Sequence, residues 1–205
     1  QQGRFEAVRS SWEAVRLTGY GEAVRILAED VYGLRDWNAT EFSAAQKKLD
    51  GWRQPGGRYH LLKEVANIDH VQTDDFCWPC LPDASGADFF FYDISWAAFC
   101  DGRIGIEMLH NETGVEVTNL AQLRQAMESI FERHAAYAIA VKAQHAYNRT
   151  LYWQERDDSS AAAALEVVLG SEEPSEDIRL TLGDWCWARG VELAIEHDLP
   201  FKLHT

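Results

Sequence analysis

A chain of 205 residues is long enough to bury one sizeable core, since domains commonly run about 100 to 200 residues. Its 33 acidic against 19 basic side chains leave a formal net charge of -14, and no basic stripe gathers that could collect phosphates, which argues against a nucleic-acid partner. No run approaches the roughly 18 apolar residues needed to cross a bilayer, and the opening QQGRFEAVRSSWEAVR has neither the apolar stretch nor the cleavage site of a signal peptide, so no membrane partner is expected.

A soluble, cytoplasmic setting is the expectation that follows. The chain lacks an initiator Met, and Thr205 directly follows an apolar run, so both ends are expected to be cut and a secreted parent stays open. Cys77, Cys80, Cys100 and Cys186 are too sparse for a disulfide scaffold and are expected as reduced thiols.

From Phe5 to about Leu34 the residues Phe5, Val8, Trp12, Val15, Val24, Ile26, Leu27 and Val31 recur at helical spacing, interrupted by Gly19-Tyr20-Gly21. Two helices with a break there are predicted. A further helix, TEFSAAQKKLDGW, opens with Thr40 as its cap and runs into the turn-rich residues 54–58, after which HLLKEVAN resumes helix. No linker marks the end of this helical segment, residues 1–66, which is expected to form one domain with residues 67–205.

The character changes at Ile68. IDHVQTDD is short and β-branched and reads as a strand feeding the loop CWPCLPDASGAD. The run FFFYDIS at 89–95 is too apolar to alternate, as befits a strand covered on both faces, and helix-patterned sequence spans Leu120 to about His134. YAIAVKAQ at 137–144 is the third strand. A polar segment and an alanine-rich, acidic stretch through 161–177 follow, then a helix capped by Asp177 or Thr181, and PFKLHT closes as the fourth strand.

Strand and helix in succession give an α/β class with parallel βαβ units. Parallel sheets place their chemistry beyond the carboxyl ends of their strands. That rule selects Asp74 and Asp75, Asp93 and Ser95, Lys142 to His145, and His204.

His204, at the exit of a strand, is the leading metal ligand, because a neutral imidazole is the commonest protein ligand for a divalent cation; the alternative is a hydrogen-bonded rim residue. Lys142 lies in an apolar strand, where its ammonium must reach a carboxylate, a metal-bound group or water, or else snorkel to the surface. His145, Tyr147 and Arg149 add a proton carrier, a phenol and a carboxylate-binding fork, unless Arg149 merely pairs with Glu155, Asp157 or Asp158. Asp74 with Asp75 can serve as a general acid/base, or as a strand terminus or cap. Cys77-Trp78-Pro79-Cys80 has thioredoxin-like spacing, but the sequence after it is turn-rich instead of helical, so a packed loop is expected. Of the remaining histidines, His60, His134 and His197 are expected solvated on helices, His110 in a loop, and His70 inside a strand.

The segment LGDWCWARGVELAIEHDLPFKLHT, read with AIAVKAQHAYNRTL, resembles the amidohydrolase-related family of metal-dependent hydrolases, in the branch with uronate-isomerase-like and decarboxylase-like members. Pro200 to Thr205 match the P-x-x-x-H-T-G strand up to its glycine, and the helical opening looks like an insertion before the first barrel helix. The resemblance implies a partial (βα)8 TIM barrel, from about the second to the fifth strand, with a helical N-terminal insertion. It implies His204 as metal ligand and Lys142 as a second, with zinc or manganese the metal. Catalytic roles then fall to Lys142, His145 and Asp74, and substrate binding to Tyr147, Arg149 and Asp93.

The family's His-x-His of the first strand and Asp of the eighth are absent from this chain, so the 205 residues are expected not to complete a metal site alone. For the intact parent the implied activity is hydrolysis by an activated metal-bound water, with isomerisation or decarboxylation as alternatives on the same site. A non-catalytic α/β interaction module is the rival of another class. The expected partners are a small-molecule substrate, a carboxylate among the options, and further copies of the chain. An isolated half barrel is also expected to expose an apolar face and two unpaired edges.

Overall fold

The computed structural model describes residues 2–74, 76–80, 89–170 and 173–205. The chain divides into two compact units, Gln1–Asp69 and His70–Thr205, with the boundary at 69/70 where the sequence placed it at 66/67.

The first unit is helical: α1 (Gln2–Val15), α2 (Gly19–Tyr32), α3 (Ala39–Trp52), and a short α4 (Gly57–Tyr59) that runs on as a π-helix over His60–Val65. The break expected at 19–21 falls instead at 16–18. The Thr18 hydroxyl accepts the Gly21 N–H at 3.1 Å and caps α2, which draws Gly19 and Tyr20 into the helix. Gly21 is needed there because a β-carbon would lie 2.1 Å from the Val15 carbonyl oxygen. The cap of α3 is Asn38 and not Thr40, since the Asn38 side chain accepts both the Thr40 and Glu41 N–H groups at 3.0 Å. Trp12 stacks on Trp37 at 3.8 Å, yet among the described residues only Ala28 and Leu34 of this unit are buried apolar side chains. Its core is thin.

The second unit holds a four-stranded parallel sheet, β1 (Val71–Thr73), β2 (Phe90–Ser95), β3 (Ala138–Ala143) and β4 (Phe201–Leu203), in the order β1-β2-β3-β4. Its helices are α5 (Ala97–Cys100), α6 (Ile106–Thr113), α7 (Leu120–His134), α8 (Asp158–Gly170) and α9 (Glu176–Glu196). Neighbouring parallel strands, with helices between β2 and β3 and between β3 and β4, confirm the α/β class and the partial-barrel topology. The sequence reading left α5, α6 and α8 unassigned and put His110 in a loop, whereas it lies in α6. Ser175, not Asp177 or Thr181, caps α9 by accepting the Ile178 N–H.

One face of the sheet, from Ile94 and Val141, packs with Leu123, Met127, Ile130 and Phe131 of α7 and Leu182 and Trp185 of α9 into a single core. Helix α9 approaches closely because it is notched by glycine. A β-carbon at Gly183 would sit 2.3 Å from the Cys100 carbonyl oxygen, and one at Gly190 would sit 2.1 Å from the Trp96 indole nitrogen. The Trp96 indole N–H is thereby able to donate to the Cys186 carbonyl at 2.9 Å. Among the described residues no helix is long and apolar enough to cross a membrane.

Candidate functional site

Successive residues of a strand alternate between faces, and residues directly paired across parallel strands share one. Asp93 pairs with Ala140, Ser95 with Lys142, and Lys142 with Lys202, so these side chains stand on the face opposite the helical core. They form two tiers. The deeper tier contains Gln72, Asp93 and Ala140, with the Lys202 side chain reaching down to Asp93 from the level of Lys142. The upper tier, at the carboxyl ends of the strands, contains Asp74, Ser95 and Lys142, with His204 just past β4.

The face expected to be an exposed apolar surface is therefore ionic. In the deeper tier Asp93, 1% exposed at its side chain, accepts from the Gln72 amide at 2.8 Å and is ion-paired with Lys202. Burial of that carboxylate is tolerated because both oxygens are occupied. Asp93, expected to contact substrate, is thus paired with Lys202 and Gln72 within the sheet. Lys202 escaped the sequence reading, although PFKLHT places it two residues before His204 and so on the same face.

In the upper tier the Lys142 ammonium meets Asp74 at 2.9 Å, with 23% and 9% of their side chains exposed. The same Asp74 carboxylate accepts the Phe76 N–H at 3.2 Å. Of the alternatives open for Lys142, the carboxylate is the partner found. Asp75 lies outside the described residues. Across the tier the Tyr147 hydroxyl and the His204 Nε2 are hydrogen-bonded at 2.9 Å, with their rings 5.5 Å apart. The His204 N–H continues the sheet by donating to the Ala143 carbonyl at 2.9 Å, and both rings remain exposed. The structure thus gathers Asp74, Lys142, Tyr147 and His204 at the strand ends.

Two expected site residues lie elsewhere. Arg149 is buried behind the sheet with 1% of its side chain exposed. Its guanidinium donates to Asp184 at 2.6 Å and to the carbonyls of Cys100 and Thr150 at 2.9 Å. With its donors spent, it ties the segment after β3 to α9 and offers no fork to a substrate; its partner is Asp184, not the nearby Glu155, Asp157 or Asp158. His145 is fully buried, edge-on to Trp187 at 4.5 Å, and neither ring nitrogen has a partner. Burial, reinforced by the Arg149 charge and opposed by Asp184, pushes its pKa down to about 4. Its enclosure, with no ring-nitrogen partner among the described residues, sets it apart from the exposed strand-end side chains, where it was expected as a proton carrier.

Other expectations change for similar reasons. His134, expected solvated, is buried, its Nε2 2.7 Å from Glu112, and its Nδ1 accepts the Cys80 N–H at 3.4 Å. His70 is exposed at the entry to β1 instead of inside the strand. Cys80 is fully buried, and Cys100 and Cys186 are buried in α5 and α9 with their thiol pKa values raised by burial.

A metal centre needs several converging donors. Among the described residues no group of three His, Cys, Asp or Glu side chains is placed to hold an ion. Of the two expected ligands, Lys142 is an ammonium paired with Asp74, and His204 is a single imidazole whose Nε2 faces a phenol. The described donor set does not fit a metal by itself.

The fold and these strand ends define the chain as part of a parallel α/β barrel with a polar inner face. No family model matches the chain, and no curated protein is significantly similar to it. Among solved structures it is similar to glucuronate isomerase from Caulobacter crescentus, with a TM-score of 0.68 at 13% identity over 95% of this chain and 43% of that one. It is also similar to uronate isomerase from Thermotoga maritima, with a TM-score of 0.72 at 10% identity over 99% of this chain and 47% of that one. The chain therefore spans less than half the length of either enzyme, and the likeness is one of fold.

Proposed function

We propose that this chain contributes to the active site of a uronate-isomerase-like enzyme, in preference to the hydrolase first expected. The observation that carries the reading is the Tyr147–His204 hydrogen bond at the mouth of the sheet, beside the Asp74–Lys142 ion pair. The similarity in fold to two uronate isomerases supports it.

Interconverting an aldose and a ketose moves one proton between adjacent carbons and another between their oxygens. Both transfers need a group that can give and take a proton near neutral pH, and imidazole is the side chain suited to it. A phenol hydrogen-bonded to that imidazole extends its reach by one group, so a substrate hydroxyl at Tyr147 can exchange its proton with His204. The Lys142 ammonium supplies positive charge for a substrate oxygen, and Asp74 fixes where that charge stands. Beneath them, the Asp93–Lys202 pair keeps the floor polar and occupied.

The test uses the protein as its cell makes it, with D-glucuronate in deuterated water and NMR detection of ketose formation and of deuterium at C1 of the ketose, the carbon that receives the proton. His204→Ala and Tyr147→Phe are each expected to cut turnover by roughly 100-fold or more, the usual scale for losing a general acid–base group. Turnover unchanged in both variants, or absent from the unsubstituted protein, overturns the reading.

A further inference from the structure

Beside the upper tier lies a pocket of about 410 Å³, within the roughly 300–1,000 Å³ usual for small-molecule sites. Its wall is built by segments leaving three strands: Phe76 after β1, Ser95 and Asp101 from β2 onward, and Gln144 and Tyr147 after β3, with the exposed Arg103 also lining it. A larger pocket of about 610 Å³ near the start of α9 contains none of the strand-end residues.

Among the described residues, two polar atoms of this wall are unmatched. One Asp101 oxygen accepts from the Asn148 amide at 2.7 Å, but the other, Oδ1, is buried with no partner. The Gln144 amide nitrogen is likewise buried with nothing to receive its protons. Buried polar groups are nearly always paired, so an orphaned acceptor and an orphaned donor in one pocket wall call for a missing partner. Both belong to side chains that line the pocket.

The rest of the wall narrows the ligand class. Phe76 sits at a φ of +61°, a region bulky residues seldom occupy, and its ring is 70% exposed. Asp74 steadies that backbone by accepting the Phe76 N–H, so the carboxylate that fixes Lys142 also holds this aromatic at the pocket. The Arg103 side chain is in no ion pair or hydrogen bond among the described residues, so its guanidinium is available to an anion.

We infer that this pocket is where the polyhydroxylated carboxylate is recognised. The Phe76 ring packs on the C–H face of the sugar, Asp101 Oδ1 accepts from one hydroxyl, the Gln144 amide donates to another oxygen, and Arg103 pairs with the carboxylate. The inference rests on the sugar-acid reading above and deepens it by assigning the binding contacts to residues outside the Tyr147–His204 pair.

Ligand-observed NMR titrations separate the two. The probes are D-glucuronate, D-glucose, which keeps the hydroxyls without the carboxylate, and succinate, which keeps carboxylate without hydroxyls. Arg103→Ala is expected to weaken D-glucuronate by about tenfold or more while leaving D-glucose unchanged, as befits one charge-assisted contact. Gln144→Ala and Asp101→Asn are expected to weaken both sugars and to leave succinate unaffected. Arg103 is exposed and Gln144 half-buried, so their variants decide the matter even where Asp101→Asn fails to fold.

D-glucuronate binding that is equal in the unsubstituted protein, Arg103→Ala and Gln144→Ala overturns the pocket and leaves the isomerase reading standing. Binding that responds as expected, but without turnover, supports the pocket and overturns the isomerase reading. An unsubstituted protein that binds no D-glucuronate overturns both.

Discussion

His145 makes the stability of the second unit depend on acidity in a way that can be calculated before it is measured. Its ring is fully buried beside Trp187, and burial with the Arg149 charge lowers its pKa from 6.5 to about 4. The folded chain therefore refuses a proton that the unfolded chain accepts. Above pH 6.5 both states hold a neutral ring and the contribution is fully present; as pH falls from about 6.5 to about 4 the unfolded state gains protons and stability is lost, and below that the loss levels off. At about 1.4 kcal/mol per pH unit, the gap sets a loss on the order of 3 kcal/mol.

The assay is urea unfolding of the protein and of His145→Leu, followed by near-ultraviolet circular dichroism between pH 7 and 4. The leucine variant is expected near native stability at pH 7, since it removes two unpaired ring nitrogens while filling most of the space. It should also lose the acid-dependent component, so the two curves converge or cross on acidification. Curves that stay parallel from pH 7 to 4 refute the assignment, because every other titrating group is common to both proteins.

Three substitutions test the residue roles the structure assigns. Arg149→Met leaves the Asp184 carboxylate buried with fewer partners, and a loss of about 3–5 kcal/mol in urea stability is expected, the usual scale for breaking a buried pair; unchanged stability would return Arg149 to the list of substrate contacts. Lys202→Met removes the charge that neutralises Asp93 on the inner face, with a loss of similar sign and about 2–4 kcal/mol, whereas Lys202→Arg should recover part of it; equal stability of all three proteins contradicts the two-tier arrangement.

The strands were the part of the fold most visible in the sequence. FFFYDIS and YAIAVKAQ are apolar and bounded by turn residues, and both form strands close to the expected limits. Helices α5, α6 and α8 were less visible because two are short and the third, DSSAAAALEVVLG, is apolar along much of its length and shows little one-sided pattern. Helix starts were displaced because Thr18, Asn38 and Ser175 compete with their neighbours as caps, and only the backbone path shows which side chain meets a free N–H.

The candidate site divides along the same line. Strand position alone put Asp74, Lys142 and His204 at the carboxyl ends, because alternation and the parallel-sheet rule are local and general. Which of them touch one another was beyond it: the Tyr147–His204 bond joins residues 57 apart, and the Lys202–Asp93 pair joins residues 109 apart. Arg149 and His145 lie close in sequence to Lys142 and Tyr147, and nothing in HAYNR distinguishes the exposed phenol from the buried guanidinium and imidazole.

By itself, then, the order of residues determined the α/β class, the strand-exit positions and the excess of negative charge, since each follows from spacing or composition within a short window. Tertiary structure alone decided which polar side chains are spent on one another and which remain available, because pairing and burial depend on what distant segments bring to the same few ångströms. That is why Arg149 became a core tie to Asp184, Asp93 an anchor for Lys202, and Asp101 and Gln144 the unmatched groups of a pocket wall.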